Sequence, residues 1–331
     1  MAKKLTSKNF SGRTFVNQTP ASMSFSLGDI RALAQGYFGS GHGKHPSRKV
    51  PSVDFSFNTS IQPLITWLGH SAFLLQLDGK TILLDPMLSK RASPFQWIGP
   101  KRFDGTLSVT VDDLPSLDAV LISHDHYDHL DYYSIKALAH KTKRFFVPLG
   151  LAGHLHRWGV PLEHITEMDW WDEVKLGTLR FACTPSRHFS GRTLTDRDAT
   201  LWCSWVIESK HANVFFSGDG GYGPHFAEIG KKYGVFDLAL LECGQYDTLW
   251  PYVHMMPEQT VQAARDLKSK RVIPIHWATF ALAFHSWTDP IERALVAGKK
   301  LGVSIITPRI GQTISVNSSR PSRDRWWTDE S

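Results

Sequence analysis

Residues 123–131 read SHDHYDHLD and follow an apolar run at residues 118–122, DAVLI. Three histidines and three aspartates fall within those nine residues. Side chains of these types are costly to bury and favour neither strand nor helix interiors. Their crowding where a buried strand should end points to a metal site, because imidazole and carboxylate supply the lone pairs a cation needs. The pattern within the stretch is HxHxDH: His124, His126, Asp128 and His129.

The same arrangement, a polar residue just after an apolar strand pattern, recurs three times further along. His188 follows FACTPSR, Asp219 follows VFFSG and His276 follows RVIPI. In layered α/β proteins such strand ends converge on one rim. With the HxHxDH residues these make seven candidate ligands, His124, His126, Asp128, His129, His188, Asp219 and His276. Seven are too many for one tetrahedral ion and suit two ions sharing a carboxylate. Imidazole with carboxylate favours two Zn2+ ions, with iron, manganese or another divalent metal as alternatives. Any one of these histidines alone reads as an ordinary structural histidine; the four-residue cluster does not.

The rest of the chain supplies a scaffold for such a site. From Leu64 onward LITWLGHSAFLLQLDGKTILLDP reads as two strands joined at Asp78-Gly79. AVLISH, RFFVPLG, LRFACTP, LWCSWVIES, ANVFFSGD, FDLALLECG and RVIPIHW read as further strands. Helical patterns lie between them at YYSIKALAH, HFAEIGKKYG and MPEQTVQAARDLKSK, the last with Pro257 at its start and a stripe through Val261, Ala264 and Leu267. The alternation predicts a layered α/β domain over 61–315. Residues 1–60, rich in Ser, Gly, Lys and Asn, read as an extended arm with one short helix near LGDIRALAQGYF. Residues 316–331 read as a polar tail in which Trp326-Trp327 docks locally.

Composition narrows the function classes. The 331 residues carry a net charge of +6, mild and without a dense basic stripe, which disfavours nucleic acid as a partner and fits an anionic substrate or membrane surface. Twelve tryptophans suit apolar pockets and membrane interfaces. Three scattered cysteines without a CxxC pair predict a reducing compartment. The basic start MAKKLTSKNF is not followed by an apolar signal-peptide segment, and no run approaches the roughly 20 apolar residues of a membrane helix. A cytoplasmic protein, peripheral to a membrane if attached at all, is expected; a homodimer is left open.

The constellation resembles the metallo-β-lactamase superfamily, and more narrowly the family of phospholipases D that hydrolyse N-acyl-phosphatidylethanolamine. Segments away from the ligands carry the narrower likeness. They are TWLGHSAFLLQLDGKTILLDPMLSKRASPFQWIGPKRF, VPLGL, DWWDE, TPSRHFSGRTLTDRDATLWCSWVI, FFSGDGGYGPHFAEIGKKYGVFDLALL and IHWATFALA, spanning about Leu64 to Leu295. The resemblance implies a four-layer αββα sandwich of the metallo-β-lactamase type. It implies that His124, His126 and His188 hold one ion, that Asp128, His129 and His276 hold the other, and that Asp219 bridges them with a hydroxide between. It implies that Asp85, in LLDP, holds a ligand histidine by its ring N–H. His254, in YVHMMPEQ, matches a histidine beside the reacting group, so Asp128 and His254 are the candidate catalytic residues. His70, Leu151, Leu155, Trp158 and Gln245 are the candidate substrate contacts; Leu151, Leu155 and Trp158 lie in PLGLAGHLHRWGV, which resembles a lipid-lining segment.

Gly220, where that family usually has threonine, and the residues Cys243-Gly244-Gln245 and Val253 depart from its pattern. They leave the ligands intact and the substrate open. The expected activity is therefore zinc-dependent hydrolysis of a phosphodiester in an N-acyl-phosphatidylethanolamine or related phospholipid. A lactonase or other ester hydrolase on the same ligands is the alternative, with a nuclease and a non-catalytic binding module behind it.

Overall fold

The structure, a computed structural model, describes residues 6–21, 43–107, 109–317 and 324–328. The helix expected near LGDIRALAQGYF lies outside the described residues. The segment expected as two strands forms three: β1 (Leu64–Trp67), β2 (Phe73–Leu77) and β3 (Lys80–Leu84). The extra break is a tight turn at Gly69-His70, whose φ angles of 97° and 54° are both left-handed. Ala72 N–H donates to Gly69 C=O at 2.9 Å and closes the turn. Asp78 and Gly79 take φ of 50° and 72°, the conformation that a two-residue hairpin demands.

Seven of the remaining strands fall where the apolar runs predict them, and four, at Ile165–Met168, Glu173–Leu176, Ser304–Ile305 and Thr313–Ser315, lie outside those runs. In chain order the remaining strands are β4 (Ala119–Leu121), β5 (Phe145–Pro148), β6 (Ile165–Met168), β7 (Glu173–Leu176), β8 (Leu179–Thr184), β9 (Ser204–Glu208), β10 (Asn213–Phe216), β11 (Leu238–Glu242), β12 (Arg271–Ile275), β13 (Ser304–Ile305) and β14 (Thr313–Ser315). They pair into two seven-stranded sheets, in the orders β14-β1-β2-β3-β4-β5-β6 and β13-β12-β11-β10-β9-β8-β7. Between strands run α1 (Tyr132–Leu138), α2 (Ala152–Arg157), α3 (His225–Lys232), α4 (Pro257–Asp266) and α5 (Asp289–Leu301).

Strand alternation sorts the side chains into layers. Phe73, Leu75 and Leu121 of the first sheet and Phe181, Phe216 and Leu240 of the second share one apolar cluster, so the sheets face each other. On the outer face of the first sheet Leu83, Val120 and Val147 pack on Ile135 of α1 and Leu155 of α2. On the outer face of the second, Phe215, Ala239 and Val272 pack on Ile229 of α3 and Ala264 of α4. The result is helix, sheet, sheet, helix: the αββα sandwich. Trp326 is buried against Trp67 and Trp277 at ring separations of 6.2 and 5.3 Å.

Topology then aligns the strand ends. β3, β4 and β5 are mutually parallel, as are β10, β11 and β12. β8 reaches β10 through two antiparallel pairings, so it points the same way as β10. The residues after β3, β4, β8, β10, β11 and β12 consequently gather at shared rims.

Two glycines test the packing with opposite signs. A Cβ on Gly230 in α3 would lie 2.2 Å from Asp266 C=O, whereas one on Gly153 in α2 meets nothing within 4 Å among the described residues. Urea denaturation should show Gly230→Ala destabilised by about 1–3 kcal/mol, as overpacking costs. Gly153→Ala should be stabilised by about 0.5–1 kcal/mol, the helix-propensity gain. Equal shifts for both would contradict the close α3–α4 approach.

Candidate metal centre

Three of the expected ligand histidines, His124, His129 and His188, have their rings fixed from behind. After β3, Asp85 is buried and its carboxylate accepts hydrogen bonds from Ser123 N–H (2.7 Å), Ser123 Oγ (2.5 Å) and His129 Nδ1 (2.7 Å). His129 Nε2 is thereby left to face the centre. After β4, Ser123 Oγ lies 2.9 Å from His124 Nδ1 and leaves His124 Nε2 inward. After β8, His188 Nδ1 donates to Val253 C=O at 2.9 Å and leaves its Nε2 inward. The other two aspartates of SHDHYDHLD have structural work. Asp131 caps α1 through Tyr133 and Ser134 N–H, and Asp125 accepts from Gly191 N–H and Thr200 Oγ1.

The inward atoms form two clusters. His126 Nδ1 is 2.9 Å from His124 Nε2 and 3.2 Å from His188 Nε2. Asp128 Oδ2 is 3.0 Å from His276 Nε2, 3.5 Å from His129 Nε2 and 2.9 Å from His70 Nε2. Between the clusters sits Asp219 Oδ2, 3.1 Å from both His129 and His276 Nε2, 3.9 Å from His188 and 4.0 Å from His124.

This donor set fits divalent cations. With their outer nitrogens engaged elsewhere, His124 and His188 bring lone pairs toward His126 Nδ1, an arrangement that repels unless a proton or a cation lies between. His129 Nε2 and Asp219 Oδ1 are buried without a hydrogen-bond partner among the described residues. The charge balance agrees. Burial and the neighbouring imidazoles push His124 and His188 well below the usual histidine range. Burial opposes charge on Asp128 and Asp219, but His129 and His276 outweigh it and hold both carboxyls well below their usual range. Burial likewise opposes protonation of His129 and His276; the Asp219 and Asp128 carboxylates prevail, holding His129 well above its usual range and His276 at about 10. Two imidazolium protons thus offset two buried carboxylates, and bound cations would take over that role.

Residues 80–277 match the model of the beta-lactamase superfamily domain. The chain belongs to the beta-lactamase superfamily. It is a metal-dependent hydrolase of the metallo-β-lactamase fold. It is 40% identical over 330 residues to an uncharacterized protein of Mycobacterium tuberculosis (strain ATCC 25618 / H37Rv), covering 97% of this chain and 87% of that one. It is 33% identical over 249 residues to N-acyl-phosphatidylethanolamine-hydrolyzing phospholipase D 1 of Caenorhabditis elegans, covering 72% of this chain and 69% of the relative. Among solved structures, a metallo hydrolase from Ignicoccus hospitalis superposes with a TM-score of 0.59 at 24% identity, covering 76% of this chain and 97% of that one.

Within this superfamily scaffold the seven expected ligands come together, and Asp85 lies behind His129. The expected substrate contacts fare differently. His70 is buried beside Asp128 with its ring 4.2 Å from His276, so it joins the second cluster and is closed to a substrate. Gln245 is corrected as well. Its amide donates to His276 and Phe280 C=O and accepts from Leu282 and Ala283 N–H, so every polar valence clasps the loop that carries His276. Leu151 and Leu155 are corrected because both are buried in the α2–sheet interface, where an amphipathic helix puts its apolar face. Trp158 remains partly exposed, edge-on to Tyr132 at 5.4 Å and 5.2 Å from the Arg192 guanidinium.

Two residues escaped the sequence reading. Glu242, the last residue of β11, is buried and receives His254 Nδ1 at 3.2 Å and Met255 N–H at 2.8 Å. Its strand-end position, the same signal that marked Asp219, could have revealed it. Asn17, in the N-terminal arm, donates to His188 C=O at 2.7 Å and accepts from His188 N–H at 3.2 Å. Nothing local to the arm marks that contact.

The position of Asp219 yields a prediction about metal content. Elemental analysis of zinc-supplemented protein should find about two ions per chain. Asp219→Asn should lose most of both, because its oxygen serves both clusters, and His126→Ala should lose about one. Full occupancy in the Asp219 variant would remove it from the centre.

Proposed function

We propose that the chain is a phospholipase D-type phosphodiesterase that holds two zinc ions and cleaves N-acyl-phosphatidylethanolamine or a related phospholipid. The observation that carries this reading is the setting of His254. Its ring lies 5.3 Å from the rings of both His188 and His276, one from each cluster. It is partly exposed, and Glu242 engages its Nδ1, which leaves Nε2 for a substrate. Similarity to the Caenorhabditis elegans enzyme over 249 residues supports the choice of substrate class.

His124, His126 and His188 would hold one ion, Asp128, His129 and His276 the other, and Asp219 both. Bound there, such ions make water nucleophilic near neutral pH and neutralise charge building on a phosphoryl oxygen. The remaining steps belong to the protein. Asp85 and Val253 C=O fix the rings of His129 and His188, so the donors do not reorganise during the reaction. In the hydrolysis, oxygen from water forms a bond to phosphorus and the bond from phosphorus to the alcohol oxygen breaks. The departing alkoxide needs a proton, and His254 Nε2 would donate it. Glu242, on the other ring nitrogen, would keep the donor's orientation.

A lactone needs no such departing alcohol, so the leaving group distinguishes the chemistries. With an alkyl phosphodiester, His254→Ala should cut turnover by about 10²–10⁴-fold, the usual worth of a general acid. A nitrophenyl phosphodiester, whose leaving group is stable as an anion, should lose much less, with metal content unchanged. Equal losses would make His254 a positioning residue, and lactone hydrolysis without phosphodiester turnover would favour the lactonase.

A further inference from the structure

The loop between β3 and β4 carries an apolar tip outside the metal centre. Phe95, Trp97 and Ile98 are 53%, 75% and 53% exposed, three large apolar side chains within four residues. Scattered apolar residues on a surface need no explanation, but a contiguous cluster does.

The loop is built to present them. Arg91 and Lys101 bridge its two arms in antiparallel fashion, and Ala92 N–H donates to Pro100 C=O at 3.1 Å. Arg91 Nη1 donates to Gly99 C=O at 2.5 Å. The side chain of Gln96 turns inward, where its oxygen accepts from Arg91 N–H and its amide donates to Arg91 C=O, both at 3.1 Å. With Gln96 pinned, its neighbours Phe95 and Trp97 face solvent and stack on each other at 5.6 Å. A loop free to collapse would fold these rings inward; this one holds them out.

Cations flank the base of the tip. Lys90 and Lys101 are exposed on the two arms, and Lys101 shares a cleft with Arg48 and Lys49. The acidic residue lining that cleft, Asp104, is paired with Lys101 at 3.2 Å. An aromatic and aliphatic wedge with an exposed lysine on each arm matches the boundary of an anionic bilayer. Indole and phenyl rings settle among the headgroups there, and basic side chains meet lipid phosphates.

We propose that residues 93–101 dock this protein on anionic phospholipid membranes. A second copy of the chain suits the loop less well. A two-fold contact would set Lys90, Lys101, Arg48 and Lys49 against themselves, and three side chains cannot supply the roughly 1,200 Å² of a stable interface. The loop also reports to the centre. Ala92 and Met87 pack on Phe280, whose ring meets His70 edge-on at 5.2 Å. The base of the docking loop is thereby packed against the second cluster through Phe280.

The test is vesicle co-sedimentation of the full chain, read without turnover, so it stands or falls independently of the phosphodiester reading. Phosphatidylcholine vesicles containing phosphatidylglycerol should bind the protein at least about tenfold more tightly than phosphatidylcholine alone. Phe95→Ser with Trp97→Ser and Ile98→Ser should reduce that binding by about tenfold or more at unchanged melting temperature, and Trp97→Ser alone should lower it measurably. Lys90→Gln with Lys101→Gln should weaken binding to the anionic vesicles only. Wild-type protein that ignores both vesicle types would overturn the proposal. So would a triple variant that binds as before, or one whose sole change is conversion of a dimer to a monomer.

Discussion

The structure depends on where one carboxylate oxygen lies. Asp219 Oδ2 has ring nitrogens of four histidines within 4.0 Å, drawn from both halves of the centre. A buried carboxylate is tolerated only where positive charge answers it. The surrounding groups therefore cannot drift. If the two sheets slid by one residue, Asp219 from the second sheet would lose His124 and His129 from the first. The metal centre doubles as a clasp across the inter-sheet core.

That clasp is possible because the sheets are built alike at their rims. Parallel neighbours on both sides, β3–β4 in one sheet and β10–β11–β12 in the other, end side by side. Polar residues placed one to eight positions past these strands arrive at a common place without long excursions. Short reach means few rotatable bonds, and hydrogen bonds from Asp85, Ser123 and Val253 take up the remaining freedom. The ligands are held by strand ends and by one another's neighbours, which is how a site keeps its geometry before any ion arrives.

The access side is organised differently. Glu242, buried at the end of β11, joins His254 to the rim, and Gln245 ties the loop after β12 to the loop after β11. His254 is thus a partly exposed group on a buried support. The basic apolar loop after β3 meets the same rim through Phe280.

The residues that gather at the rim were legible in the sequence because a strand end is a local event: an apolar run followed by His or Asp marks it wherever it occurs. The α/β layering was legible for a similar reason, since apolar alternation reports which face of a strand is covered. Other features depended on long-range contacts. The break at Gly69-His70 was hidden because the apolar pattern continues through it, and only the left-handed backbone there turns the chain. Leu151 and Leu155 looked like groove residues, yet an apolar helix face is the same in sequence whether it lines a cavity or packs on a sheet. Gln245 and His70 look like surface polar residues until the loop after β12 closes over them. Asn17 reaches His188 across 171 positions of sequence, and no local pattern encodes that meeting. The sequence by itself determined which side chains can bind a cation and that they follow strands. Only the tertiary structure decided which of them meet, because pairing order and sheet-on-sheet packing set the distances between strand ends far apart in the chain.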